Sequence, residues 1–235
     1  MEYDIKGVLM DYGGTIDTNG IHWAEVIYNG YLNNNIQVAK EVFRKAYVYG
    51  EQCLEKYADR IKPSDTFIDI MLMKITYHDE YYKLHNLSPK GIEGLFEVAY
   101  YCYSFANNTI SKTKPVLGYL SAKYPLVLVS NFYGNLNAVL ADFGINGYFK
   151  SVVESATVNV RKPDKKIFEI GMQQLGMFSH EVAIIGDSYK NDIAPANELG
   201  CCSVWLKNIG WESEDNPNQK ADFIINDMKK VKDIL

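Results

Sequence analysis

Six apolar runs of strand length are the feature of this sequence that most restricts its fold. They lie at Gly7–Met10, Leu126–Val129, Ser151–Val153, Val182–Ile185, Cys202–Leu206 and Phe223–Ile225. Most are rich in Val, Ile and Leu and do not alternate apolar with polar residues. This pattern is typical of strands that are buried on both faces, as in a parallel sheet. We therefore expect a parallel sheet with helices packed on both of its faces.

Helical segments separate the later runs, at Asn135–Phe143, Lys165–Leu175 and Asn191–Leu199. Each is followed by a glycine, the residue most common just beyond the C-terminus of a helix. Strands that alternate with helices indicate an α/β fold. We expect residues 1–17 and 113–235 to form a doubly wound, Rossmann-like core.

Residues 18–112 interrupt this alternation and contain no convincing strand. Helical patterns cover Ala39–Lys56, Thr66–Tyr77 and Ile92–Phe105. An all-helical cap domain, inserted directly after the first strand, explains the interruption.

Composition excludes several classes of protein. The 235-residue chain has a net charge of −5, and its 24 Lys and Arg residues are scattered, so we expect no nucleic-acid or membrane partner. Its apolar runs are too short to span a bilayer, and its first ten residues are too charged for a signal peptide. The four cysteines lack metal-ligand spacing, and a cytoplasmic protein is expected. The oligomeric state is left open.

Polar motifs follow four of the predicted strands. In order they are Asp11-Tyr12-Gly13-Gly14-Thr15, Ser130-Asn131, Arg161-Lys162-Pro163-Asp164 and Gly186-Asp187-Ser188-Tyr189-Lys190-Asn191-Asp192. Ligands of open parallel sheets bind beyond the carboxyl ends of the strands. We therefore expect these four motifs to converge on one site.

The side chains of these motifs suit a metal ion and a phosphate group. Asp11, Asp187 and Asp192 would crowd three negative charges together, which is unfavourable unless a cation neutralises them. Carboxylate oxygens in small number suit Mg²⁺. The hydroxyl, amide and ammonium of Ser130, Asn131 and Lys162 suit phosphate oxygens.

The four motifs in this order resemble those of the haloacid dehalogenase superfamily, as does the position of the helical insert. The resemblance implies that Asp11 is a nucleophile that becomes phosphorylated and that Thr15 orients it. It implies that Lys162 steadies the nucleophile and neutralises charge, and that Ser130 binds phosphate.

The same resemblance implies a Mg²⁺ site formed by Asp11, Asp187, Asp192 and the backbone carbonyl of Gly13. Gly14 would let the backbone approach a bound phosphate closely. Asn131 is expected to shape its loop and to contact phosphate through its backbone.

Gly13 is where the sequence departs from the superfamily's phosphatases, which usually carry a second aspartate at this position as acid and base. A positioned acid/base contributes about 10²–10⁴-fold in rate. Water, or the cap residues His22 or Glu25, could take its place. The resemblance therefore implies a Mg²⁺-dependent hydrolase of a small phosphorylated metabolite that lacks this aspartate.

Two alternatives remain open. One is a weakened member of the superfamily that binds a ligand or a partner with little turnover. The other is dehalogenase or phosphonatase chemistry, although a metal-free dehalogenase would not need the acidic fourth motif. Phosphonatases need a cap lysine, and the sequence does not single out Lys40, Lys45 or Lys56 for that role. Asp17 is interpreted as a turn residue.

Overall fold

A six-stranded parallel sheet forms the centre of the protein. The computed structural model describes residues 3–210 and 219–235. The strands are β1 (Gly7–Met10), β2 (Leu126–Ser130), β3 (Ser151–Glu154), β4 (Val182–Gly186), β5 (Cys202–Leu206) and β6 (Phe223–Ile225). Their order in the sheet is β3-β2-β1-β4-β5-β6, and every neighbouring pair is parallel. The predicted α/β fold is confirmed, and no strand boundary differs from its prediction by more than one residue.

Helices cover both faces of this sheet and also form the insert. They are α1 (Trp23–Asn33), α2 (Lys40–Lys56), α3 (Phe67–Leu84), α4 (Glu97–Lys123), α5 (Leu136–Asp142), α6 (Ser155–Val158), α7 (Lys166–Leu175) and α8 (Ala194–Leu199). Successive residues of β1 show the two faces: Val8 and Met10 belong to one apolar cluster, whereas Leu9 packs in another with Phe168 of α7. A central strand buried on both faces accounts for the unbroken apolar run.

The helical insert differs in detail from the sequence-based prediction. Helix α1 was not predicted, α3 continues past Tyr77 to Leu84, and the predicted helix Ile92–Phe105 is wrong in extent. Residues Ile92–Gly94 form a short 3₁₀ turn, and the following helix continues through Pro115 to Lys123.

Packing explains why α4 is so long. Its buried residues recur every three or four positions, at Cys102, Ala106, Ile110, Thr113 and Leu117. This apolar stripe outweighs the local cost of a proline within the helix. Helix α4 crosses residue 112, where the sequence suggested that the cap ends, so the boundary between cap and core remains a prediction.

The site lies where the chain reverses its direction of travel across the sheet. Strand β1 pairs with β2 on one side and with β4 on the other, so the loops after these strands diverge around a crevice. Such a switch point is the usual ligand site of a doubly wound sheet. None of the helices in the described parts of the chain combines the length and apolarity needed to cross a membrane.

Candidate active site

Asp11 is held at the end of β1 by the sheet itself. Its backbone N–H donates to the carbonyl of Ile185 at 2.9 Å, which extends the pairing of β1 with β4 by one residue. The turn that follows is fixed by Asp17, whose carboxylate accepts from the Gly14 N–H at 2.7 Å and from Trp23 Nε1 at 3.1 Å. Burial raises the pKa of Asp17 to about 7, against the lowering effect of the Gly14 hydrogen bond. Asp17 therefore has the geometry of a turn residue.

Lys162 joins two of the acidic side chains. Its Nζ lies 2.6 Å from Asp11 Oδ1 and 2.7 Å from Asp192 Oδ1, and all three side chains are almost fully buried. Burial alone would lower the pKa of Lys162, but the carboxylates of Asp11 and Asp192 outweigh it and raise that pKa. The lysine is therefore an ammonium that bridges the loops after β1 and β4.

Three carboxylates converge as the sequence predicted. Oxygen atoms of Asp11, Asp187 and Asp192 lie within 4.8 Å of one another. Burial, followed by repulsion from the other two, raises the pKa of Asp187 well above its ordinary value. Burial also raises the pKa of Asp192, to about 6. Thr15 Oγ1 lies 3.0 Å from Asp11 Oδ2 and 3.1 Å from Asp187 Oδ1, and so connects two of the acids.

Two glycines make room for this acidic cluster. A Cβ added to Gly14 would lie 2.4 Å from Asp187 Oδ2, and Gly14 has a φ of +92°, in the region that favours glycine. A Cβ added to Gly186 would lie 2.4 Å from Asp192 Cγ. The approach of the carboxylates to the strand ends therefore depends on both glycines.

The loop after β2 contributes Ser130 and Asn131. Ser130 Oγ lies 3.5 Å from Asp11 Oδ1, at the limit of a hydrogen bond. The Asn131 side chain forms two hydrogen bonds with the backbone of Lys162, of 2.9 and 3.1 Å. Asn131 thus positions Lys162 through its side chain, and it also lines the cavity.

The space beside Gly13 is open. Within the described chain, no non-adjacent atom lies within 4 Å of the position that a Cβ would occupy there. His22 lines the same cavity, where its Nδ1 accepts from Ala24 N at 3.1 Å and burial lowers its pKa. Glu25 instead pairs with Lys40 at 2.7 Å and is not one of the residues found to line the cavity.

The insert forms the other wall of the cavity, which has a volume of about 240 Å³. Glu51 of α2 and Lys74 of α3 are the charged residues of this wall, and sequence reasoning missed both. Lys74 could have been noticed as the one charge in the apolar stretch Ile70–Ile75. Without the fold, however, nothing in the sequence pairs it with Glu51.

Side chains of the core fasten the insert over the cavity. Tyr133 donates its hydroxyl to Glu51 at 3.1 Å, and Asn135 Nδ2 donates to the carbonyl of Asp65 at 2.8 Å. At the surface, Arg161 bonds Glu55 at 2.8 Å. Arg161 therefore contacts the insert, while its neighbour Lys162 points at Asp11.

Comparisons with known proteins indicate the family of this chain. The family model described as haloacid dehalogenase-like hydrolase matches residues 5–200. The chain is 32% identical over 97 residues to the glyceraldehyde 3-phosphate phosphatase of Methanocaldococcus jannaschii, a match that covers 41% of this chain and 42% of that protein. It is 31% identical over 121 residues to the phosphoglycolate phosphatase of Chromobacterium violaceum, covering 51% and 53%. These matches thus span about half the length of the relatives.

A solved structure extends the likeness to the whole chain. The HAD hydrolase YfnB from Bacillus subtilis, solved with bound magnesium, superposes with a TM-score of 0.61 and covers 98% of both chains. The sequence identity is 17%, so this likeness concerns the fold alone.

Proposed function

Because the chain belongs to the haloacid dehalogenase-like hydrolases, we propose that it cleaves the phosphate ester of a small metabolite through a phosphorylated Asp11. The observation that carries this proposal is the position of Asp11 between Lys162 and two further carboxylates. The relatives named as phosphatases of glyceraldehyde 3-phosphate and phosphoglycolate support a small phosphorylated substrate. So does the limited volume of the cavity.

The acidic cluster fits Mg²⁺. Asp11, Asp187 and Asp192 bring three negative charges, and Lys162 compensates one of them, which leaves a deficit that a divalent cation balances. We propose that these carboxylates and the carbonyl of Gly13 hold the ion. When bound, Mg²⁺ would polarise the phosphoryl oxygens and offset their charge as a carboxylate approaches.

The first step is attack of an Asp11 carboxylate oxygen on phosphorus. The new bond is O–P, and the bond that breaks joins phosphorus to the ester oxygen, which leaves with the electron pair and takes a proton from water. Lys162 and Ser130 hold phosphoryl oxygens, and Thr15 keeps the Asp11 carboxylate in place. We propose that the insert limits the entry of bulk water during this step.

The second step is hydrolysis of the phosphorylated Asp11. Water attacks phosphorus, inorganic phosphate leaves, and the carboxylate is regenerated. With glycine at position 13, the leaving group and the attacking water must do without the aspartate that usually serves both. We therefore propose that esters with good leaving groups are the best substrates, and that the second step is slow.

The other chemistries have less support. Dehalogenation without a metal does not need the carboxylates of Asp187 and Asp192, because no cation would be bound to them. A phosphonatase needs a free amine in the cap to form a Schiff base, whereas Lys74, the lysine of the insert that lines the cavity, forms a salt bridge with Glu51. A protein that only binds its ligand would release no phosphate, so an assay of phosphate release distinguishes it from an enzyme.

The test is release of phosphate from an aryl phosphate in the presence of Mg²⁺. We expect turnover by the wild type, loss of turnover in Asp11→Asn, and unchanged turnover in Asp79→Asn, whose carboxylate pairs with Lys83 at the surface. Activity equal to that of Asp11→Asn across a broad panel of phosphate esters would refute the proposal in favour of a binding role.

A further inference from the structure

Lys74 carries unused hydrogen-bonding capacity at the cavity. Its side chain is 6% exposed, and its Nζ donates to Glu51 Oε1 at 2.5 Å. An ammonium has three N–H donors. Nζ also lies 5.7 Å from the centroid of the Tyr47 ring, but no second hydrogen-bond acceptor for it is found within residues 3–210 and 219–235. Leaving donors of a buried ammonium unpaired is costly. Because Lys74 lines the cavity, a ligand there can supply the acceptor.

Glu51 is already well supplied with donors. It accepts from Lys74 at one oxygen and from the Tyr133 hydroxyl at the other, at 3.1 Å. Burial alone would raise the pKa of Glu51, but Lys74 and the hydrogen bonds from Tyr133 and Tyr47 together outweigh burial and lower that pKa, so the side chain is an anion at neutral pH. About a third of the side chain, 34%, stays accessible, and it lines the cavity beside Lys74. A ligand that reaches Lys74 therefore also meets a negative charge.

The two walls of the cavity thus differ in charge. On the core side, Lys162 and a bound cation would neutralise the carboxylates and receive the phosphoryl group. On the insert side, Lys74 and Glu51 cancel each other. A hydroxyl or carbonyl of the leaving group can accept a hydrogen bond from Lys74 and is not repelled by Glu51. A carboxylate can accept the same hydrogen bond, but Glu51 repels it and it loses its hydration on entry.

We infer that, among phosphate esters of similar leaving-group reactivity, the Lys74–Glu51 pair selects those whose leaving group is polar but uncharged, such as a polyol or a hydroxycarbonyl compound, over esters that carry a second acid. This inference rests on the proposed function, because it takes the phosphoryl group to lie at Asp11. Lys74 supplies the recognising donors, and Glu51 holds Lys74 in place and excludes anionic leaving groups.

Glycerol 3-phosphate and 3-phosphoglycerate provide a matched test. They have the same skeleton, but glycerol 3-phosphate carries a hydroxymethyl group where 3-phosphoglycerate carries a carboxylate. The measured quantity is the ratio of kcat/KM for the two esters. If either is not turned over, the ratio of their inhibition constants against an aryl phosphate replaces it. We expect the wild type to favour glycerol 3-phosphate by about tenfold or more, the size of a hydrogen bond to a charged group. A wild-type preference for 3-phosphoglycerate would overturn the inference.

Substitutions assign the preference to the pair. Glu51→Gln keeps the size of the side chain and unmasks the charge of Lys74, so we expect the ratio to shift at least tenfold towards 3-phosphoglycerate. Lys74→Met should lower kcat/KM for glycerol 3-phosphate, because the donors of Lys74 are lost. In this variant 3-phosphoglycerate should still be the poorer ligand, because the negative charge of Glu51 remains. Glu80→Gln is the control: Glu80 also accepts from a tyrosine hydroxyl, that of Tyr49, but at the surface.

The outcomes separate this inference from the proposed function. If Glu51→Gln folds and its ratio equals that of Glu80→Gln, the pair does not set selectivity. Should Glu51→Gln fail to fold, the wild-type ratio and the loss in Lys74→Met decide the question. Unchanged ratios together with Asp11-dependent turnover of an aryl phosphate would overturn the inference and leave the proposed function standing.

Discussion

Nζ of Lys162 lies 2.6 Å from Oδ1 of Asp11, and both side chains are almost completely buried. The residues are 151 positions apart in the chain, and the parallel sheet brings them together by placing the ends of its strands at one edge. A buried carboxylate that loses its ammonium partner is left as an uncompensated charge. The contact therefore fixes the orientation of the proposed nucleophile and places a compensating positive charge beside it.

Lys162→Met is expected to lower kcat with an aryl phosphate by at least about 10²-fold, the usual cost of removing one preorganised donor from a reacting group. Without Mg²⁺ it should also destabilise the fold by about 3 kcal/mol, because a buried ion pair is broken. Phosphate release and urea unfolding measure the two effects. Lys165→Met, which removes an exposed lysine paired with Glu198, should change neither. Equal activity in the two variants would contradict the role of Lys162.

Gly13→Asp is expected to restore the missing acid and base, because the space beside Gly13 is open and the backbone there does not require glycine. The gain in kcat should approach about 10²-fold for alkyl phosphates, whose poor leaving groups need the acid in the first step. For aryl phosphates the gain should come from the second step, in which the aspartate activates water. Gly13→Asn is the matched control, since it has the same shape without the proton. If the Asp and Asn variants behave alike, another group already performs the acid/base step.

Gly14→Ala should weaken activation by Mg²⁺ about tenfold, because its Cβ would displace the carboxylate of Asp187. The positive φ of Gly14 adds a backbone cost of about 1–2 kcal/mol. Gly176→Ala shares that cost, at a φ of +75°, but its Cβ meets no neighbour within 4 Å among the residues described. The Mg²⁺ concentration for half-maximal activity distinguishes the two. If they match, the contact of Gly14 with Asp187 is irrelevant to the metal.

His78 is expected to make the fold sensitive to acid. Burial, with a smaller contribution from Lys74, lowers its pKa from 6.5 to about 3, and its Nδ1 lies 2.9 Å from the Tyr31 hydroxyl. Between pH 6.5 and about pH 3, His78 is therefore protonated in the unfolded chain but neutral in the folded one. The free energy of unfolding is unaffected by His78 above pH 6.5, and it falls below that pH by up to about 1.4 kcal/mol per pH unit.

His78→Phe removes this contribution to the pH dependence. Urea unfolding between pH 7 and pH 4 should show the wild type losing stability faster than the variant as the pH falls. Parallel slopes would mean that His78 is protonated in the folded protein.

The sequence was sufficient for the parts of the fold and site that depend on local pattern. Strand β1 is recognisable because both of its faces are buried, and Asp11 because it follows that strand directly. The length of α4 was not predictable, since Pro115 opposes a helix locally and only packing of the buried stripe permits it.

The residues that the insert contributes to the cavity wall could not be predicted from the local sequence pattern either. Glu51 and Lys74 lie on different helices, and their contact depends on how α2 packs against α3. Asn131 shows the same limit, because its two hydrogen bonds to Lys162 join loops 31 residues apart. Sequence spacing could mark these residues as polar but could not assign their partners.

The most direct test of a phosphorylated Asp11 is mass spectrometry of the protein quenched with acid during turnover of an aryl phosphate with Mg²⁺. A good leaving group makes the first step fast, and the absent acid/base at Gly13 makes the second slow, so the intermediate should accumulate. We predict one added phosphoryl group per chain, located on the peptide that contains Asp11, absent from Asp11→Asn and reduced in Gly13→Asp. The account would be contradicted if the wild type turned over the ester without this adduct, or if the adduct lay on another residue.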